Sequence, residues 1–243
     1  MHRPTPEVDP ELGAVDADGF PREGALSYDQ ADLALLLGSS LRHHRDQARL
    51  DWHLELNERV DFLDAAGRKQ WVFPDLYVVV GLRQQRRRGP FRTWVLERRP
   101  NVAFEFATAG SLTDDQGEKR EKYRLMGVDE YFIFDVDGVD VPGLLQGWRL
   151  DEHGDHQPIP RLPSGRFHSR PLDLELAAVP ERLAPGGFAL RAFRPGGDVP
   201  LPSEREAEAL RALQSRDAAL DAARARIEAL EDALRRRDPP DGM

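Results

Sequence analysis

The sequence predicts an α/β fold: a mixed central sheet flanked by helices, followed by a coiled-coil helix. Three observations carry this. Between Leu26 and Pro195, runs of period-two hydrophobicity alternate with runs of helical spacing. The stretch Leu76–Val80 is almost wholly apolar, as in a central strand covered on both faces. From Ser203 the composition shifts to Ala, Leu, Glu, Asp and Arg, with apolar residues recurring every seven positions.

Residues 1–25 are rich in Pro, Asp, Glu and Gly and read as a disordered arm. Ser27-Tyr28-Asp29-Gln30 matches a capping box, and Leu33, Leu36, Leu37 and Leu41 follow at helical spacing. One amphipathic helix is expected, ending near Asp46. Trp52, Leu54, Leu56, Val60 and Phe62 alternate with polar residues, which predicts one half-buried strand. Asp64 to Gly67 reads as a turn, and Trp71 onward as the returning strand.

Asn101 to Thr108 is a further strand. Phe104 and Phe106 share one face; Ala103, Glu105 and Ala107 share the other. Thr113-Asp114-Asp115-Gln116 matches a second capping box, opening a helix that runs to about Met126 and stops at Gly127. Tyr131 to Phe134 is the next strand. Short apolar pieces at Trp148–Leu150, Leu172–Leu176 and Phe188–Phe193 predict an antiparallel extension of the same sheet.

These elements make a domain over residues 26–195, a linker over 196–202, a coiled-coil helix over 203–237 and a disordered tail over 238–243. In the helix, Leu213, Leu220, Ile227 and Leu234 recur every seven residues. Ala209, Ala223 and Leu230 fill alternate seam positions, and Arg216 interrupts the seam. Pairing with a second copy of the chain is the expected use of that stripe; a lone solvated amphipathic helix is the alternative.

Composition bounds the function. A net charge of -9 over 243 residues argues against general coating of nucleic acid by a basic surface. One local basic run exists, Arg83 to Arg92, in which Arg86, Arg87, Arg88 and Arg92 are candidate phosphate contacts; a solvated loop is the plain alternative. With no cysteine there is no disulfide, thiolate metal site or thiol nucleophile. No run approaches the ~20 apolar residues of a membrane helix, and the first residues lack a signal-peptide pattern. A cytoplasmic protein is expected. His153 and His156 have no third histidine nearby, which disfavours zinc. The glycine-rich nucleotide loops and the Gly-x-Ser-x-Gly elbow are missing.

What remains is a pair of acids and a lysine. Asp75 and Glu105 lie in or beside apolar strands, where an ionised carboxylate is costly unless paired or metal-bound. Lys119 follows on a helix, with Asp115 and Tyr123 at four-residue spacing on the same face. Two carboxylates to hold a divalent cation and a lysine to orient water and offset phosphate charge are the parts of a phosphodiester hydrolase. Taken singly, Asp75 reads equally as a strand-start residue bonded to backbone, Lys119 as a helix pair for Asp115, and Tyr123 as a core residue.

The order of these residues resembles the PD-(D/E)XK restriction-endonuclease-like superfamily, and within it the Uma-two family of endonucleases. The resemblance is carried by Pro74-Asp75-Leu76, Phe104-Glu105-Phe106-Ala107-Thr108, Asp115 with Lys119 and Tyr123, and Gly127 to Asp135. Leu144 to Leu150 and the charged C-terminal helix add to it. It spans about Leu26 to Arg237.

The resemblance implies a restriction-endonuclease-like fold and catalytic roles for Asp75, Glu105 and Lys119. It implies Mg²⁺ or Mn²⁺ held by Asp75, Glu105 and the Phe106 carbonyl, with Thr108, Asp115 and Tyr123 in support. The superfamily usually places its lysine two residues after the second acid. Ala107 stands there in this chain, and Lys119 takes the role from the following helix. The implied substrate is nucleic acid, DNA before RNA, cut by a homodimer. An inactive nuclease fold that works through its coiled coil is the alternative function, and a small-molecule hydrolase a third.

Overall fold

The computed structural model describes residues 28–85, 89–182, 184–203, 206–213, 215, 216, 220 and 224–227. The chain divides between Leu201 and Pro202 into two units.

The first unit is built on a six-stranded mixed sheet. Its strands are β1 (Trp52–Leu56), β4 (Leu76–Val80), β6 (Val102–Ala107), β7 (Glu130–Asp135), β8 (Leu145–Leu150) and β9 (His156–Pro158), hydrogen-bonded in that spatial order. Only β6 and β7 run parallel within it. A three-stranded sheet holds β3 (Lys69–Val72), β2 (Val60–Leu63) and β5 (Phe91–Arg92). Another holds β10 (Phe167–Ser169), β11 (Leu174–Pro180) and β12 (Phe188–Phe193). The helices are α1 (Tyr28–Ala48), the single turn α2 (Thr93–Leu96) and a composite α3. The last opens at Leu112–Asp114, widens to a π-turn over Asp115–Lys119 and continues as α-helix over Arg120–Met126. Gly127 ends it at φ 79°, the left-handed cap that a residue without Cβ adopts freely.

Period-two alternation sorts the central strands into two apolar layers. Leu54, Leu76, Val78, Phe104, Phe106, Phe132 and Phe134 face α1, whose Leu33, Leu37 and Leu41 cover them, together with Leu174, Leu176 and Leu190 of the β10–β12 sheet. Tyr77, Val79, Ala103, Ala107, Tyr131 and Ile133 face the other way, against Tyr123 and Met126 of α3 and Val60, Phe62 and Val72 of the small sheet.

The structure corrects three expectations about strands and helix caps. The strand predicted through Trp52 to Phe62 breaks at Asn57, whose φ is 47°, and its halves join different sheets. Asparagine tolerates that left-handed conformation, and its N–H donates to the Asp75 carbonyl at 3.1 Å, turning the chain there. The strands at Leu174 and Phe188 do not extend the central sheet. β9 takes that edge, and β10–β12 lay their apolar residues face-on against the central core. The predicted cap at Thr113 lies inside the helix; Ser111 is the boundary residue and makes no side-chain capping bond.

Pro200 and Leu201, expected in a linker, pack back on β12: Leu201 is buried and its N–H donates to the Ala192 carbonyl at 2.7 Å. In the second unit, Ser203 and Glu206 form a reciprocal capping box, with bonds of 2.7 and 3.2 Å. Helix follows at 206–213 and at the later described positions. Residues 1–25, Ser27, Leu230 and Leu234, which carried parts of the sequence reading, lie outside the described residues.

Close packing gives a direct stability test. A Cβ at Gly147 on β8 would sit 2.5 and 2.7 Å from ring carbons of Phe132. That ring is fully buried and stacked on Phe104 at 5.5 Å, so it has no room to give. Gly147→Ala should destabilise the first unit by about 1–3 kcal/mol. A denaturant midpoint equal to wild type would contradict this packing.

Candidate active site

The register of the central sheet creates the site. β4 pairs with β6 only from Val78↔Val102 to Leu76↔Phe104. Continued, that register would set Pro74 opposite Phe106, and proline has no N–H to give the ladder. The open edge of Phe106 is filled by two side chains. Asp75 Oδ2 accepts from the Phe106 N–H at 2.7 Å, and Gln30 Nε2 of α1 donates to the Phe106 carbonyl at 2.6 Å. Both side chains are buried.

Glu105 shares its face of β6 with Ala103 and Ala107, whose small side chains leave room above the strand. Its carboxylate is fully enclosed. Tyr123 donates to Oε1 at 2.5 Å, and Lys119 Nζ lies 3.1 Å from Oε2. The Asp75 carboxyl is within hydrogen-bonding reach of the Glu105 carboxyl. Lys119 also pairs with Asp115 Oδ1 at 2.9 Å, off the line of a good hydrogen bond. Asp115 Oδ2 accepts from the Ser111 hydroxyl at 2.9 Å. The Tyr131 hydroxyl donates to the Asp115 carbonyl at 2.9 Å and so fixes the π-turn to β7. Such wide turns recur where a helix must re-aim side chains.

Burial dominates the electrostatics. It raises the Asp75 carboxyl to about 6, against the Lys119 charge and the Phe106 N–H, which pull it down. Glu105 is pushed well above the usual range by burial, with the Asp75 and Asp115 charges adding to it. Burial alone would lower Lys119; Glu105, Asp115 and Asp75 together overcome this and hold it firmly protonated. The Tyr123 hydroxyl is raised by burial and then by Glu105, so it stays a donor.

The residues named from sequence divide into three groups. Asp75, Glu105, Asp115, Lys119 and Tyr123 form one connected cluster. Lys122, three residues beyond Lys119 and not among those candidates, turns away, pairing with Glu118 at 2.7 Å and lying 5.2 Å from the Trp71 ring. Thr108 takes part through its backbone, its carbonyl accepting from the Ser111 and Leu112 N–H groups. Arg92 faces Asp61 at 3.6 Å, in the small sheet. Arg86, Arg87 and Arg88 lie outside the described residues. Sequence reasoning missed Gln30 and Ser111 as members of the site. Nothing local to the sequence pointed from the Phe106 carbonyl to α1.

Among the described residues no group of three or more His, Asp or Glu side chains forms a metal cage. Two carboxylates meet, and the donors are all oxygen. That set fits Mg²⁺ or Mn²⁺, which keep several waters and take one or two protein carboxylates plus substrate phosphate. The raised proton affinity of Asp75 and Glu105 points the same way, since enclosed carboxylates that hold a proton also gain from a dication. The Phe106 carbonyl, expected as a further ligand, already has one lone pair taken by Gln30.

No described helix is long and apolar enough to cross a membrane. The model of the Uma2 family, described as "Putative restriction endonuclease", matches residues 16–179. No curated protein matches the chain.

Proposed function

Because the chain belongs to the Uma2 family, whose description supports a nuclease function, we propose that it is a metal-dependent endonuclease that hydrolyses phosphodiester bonds of DNA. The observation that carries this reading is the meeting of two buried carboxylates and one ammonium at the end of β6, where the sheet edge is left open. Asp75 and Glu105 would hold the cation, and the Phe106 carbonyl, one of whose lone pairs Gln30 takes, would offer it the other. A divalent cation there supplies neutralisation of phosphate charge and a water of lowered pKa.

The chain's own groups do the rest. Tyr123 fixes one oxygen of Glu105 and so the direction of the other. Asp115 keeps the Lys119 ammonium beside the carboxylate pair, where it can meet a non-bridging phosphate oxygen and orient the attacking water. Incubating supercoiled plasmid and a structured RNA with the full chain, in Mg²⁺ or Mn²⁺ and in EDTA, tests the reading. Metal-dependent nicking of DNA is the expected result, and intact substrates in every metal would defeat it.

Self-association through 203–237 belongs to the same reading. Leu213, Leu220 and Ile227 are 54%, 47% and 57% exposed and recur at seven-residue spacing. Burying each against a second copy would contribute ~1.5–3 kcal/mol. Two copies bring two sites, which suits cutting both strands of a duplex in the cytoplasm. The full chain should sediment as a dimer, and a variant with Leu213, Leu220 and Ile227 replaced by glutamine as a monomer. A monomeric wild type would remove the dimer from the proposal.

A further inference from the structure

We propose that Lys119 is an internal counter-cation that holds the place of the divalent ion, so that loading the site exchanges the ammonium for the metal. The proposal deepens the nuclease reading and takes from it the class of ion.

Glu105 Oε1 is held by Tyr123 and Oε2 by Lys119. Asp75 Oδ2 is held by the Phe106 N–H, and its carboxyl meets that of Glu105. Asp115 is held by Ser111 and Lys119. An arriving dication therefore finds its carboxylates in contact with a full positive charge, and the two cations repel at this range.

Of those partners, the tyrosine is fully buried and the backbone N–H is fixed in a strand. Only Lys119 combines a charge with a flexible stem and an open side: its side chain is 27% exposed, where that of Glu105 is enclosed. It also has somewhere to go. Asp115, one turn earlier, retains the ammonium when Glu105 is given up.

The exchange has a functional consequence. A free site binds divalent ions weakly, because each ion must displace the ammonium. A phosphate that takes up the released ammonium removes that cost, so metal and nucleic acid each tighten the binding of the other. Metal loading is thereby reserved for the substrate complex.

Calorimetric titration of the full chain with Mn²⁺ alone tests the exchange. Lys119→Met, which keeps an unbranched stem and removes the terminal charge, should bind Mn²⁺ at least tenfold more tightly than wild type. Lys119→Arg should bind no more tightly than wild type, and Lys122→Met should match it, since Lys122 pairs with Glu118 outside the cluster. Adding Asp75→Asn to Lys119→Met should remove the tight binding, which places the heat at this site. Lys119→Gln offers the same comparison should the methionine variant not fold, with circular dichroism as the check.

Equal or weaker Mn²⁺ binding by the charge-free variants would overturn the proposal, as would tightening in Lys119→Arg. The nuclease reading fails separately. A wild type that cleaves DNA while Lys119→Met gains no affinity defeats the exchange alone. Tightening without any cleavage of nucleic acid by wild type defeats the nuclease reading alone.

Discussion

Glu105→Gln should leave the first unit folded and reduce metal-dependent DNA cleavage on the order of 10³-fold or more. The substitution keeps the volume of a fully enclosed side chain and an oxygen that can still accept from Tyr123. It removes the charge that Lys119 pairs with at 3.1 Å and one of the two carboxylates proposed to hold the cation. Stability should not fall in proportion. The wild-type carboxylate is enclosed at a desolvation cost, and its neutral isostere escapes much of it. The measurement is paired: plasmid nicking in Mg²⁺, and thermal unfolding of the same preparation. A variant that melts like wild type and cuts like wild type would remove Glu105 from the chemistry. One that unfolds would not speak to it, and Glu105→Asp then serves as the second variant.

Asp75→Asn should stabilise the metal-free protein at neutral pH and leave it unchanged in acid. The Asp75 carboxyl sits at about 6 in the fold, raised by burial from its ordinary 3.8. Between those values the unfolded chain has released a proton that the folded protein keeps. The contribution of this group to stability is thus fully present below pH about 4 and is lost as pH rises through about 6. Above that, the ionised group costs the fold on the order of 3 kcal/mol relative to an unshifted acid. Asparagine retains an oxygen for the Phe106 N–H and cannot ionise. Denaturant unfolding in EDTA should show the two proteins equal at pH 4 and the variant ahead at pH 7.5. Saturating Mg²⁺ should then raise wild type and not the variant. A variant no more stable than wild type at pH 7.5 would show that Asp75 carries no such penalty.

Much of the site was legible because its chemistry conflicts with its surroundings. Glu105 stands in a strand of Phe and Ala, where only a partner can explain an acid. Asp115, Lys119 and Tyr123 recur at a spacing that puts them on one helix face, and all three belong to the cluster around Glu105. Gln30 was not legible in that role. Its sequence neighbourhood reads as a helix start, and its use depends on α1 lying beside a carbonyl 76 residues away. The fold divided in the same way. Leu76–Val80 announced a central strand by being apolar on both faces, and Gly127 announced the end of α3. Trp52 to Phe62 keep their apolar residues in one period-two frame on either side of Glu58, so the turn there shows only in the φ of Asn57.

By itself the sequence determined the periodicities, the apolar layers they make and the residue types at the end of β6. These are properties of a residue and its near neighbours, fixed by side-chain direction and propensity. Tertiary structure alone decided that β10–β12 pack as a separate sheet, that β4 stops where Pro74 would face Phe106, and that Lys119 closes on Glu105 rather than pointing to solvent. Such choices rest on which distant surfaces meet. Period-two strands are alike in what they offer an edge or a face, so local pattern cannot rank their partners. The energy that ranks them, burial of whole faces and satisfaction of stranded backbone groups, exists only once the chain has closed on itself.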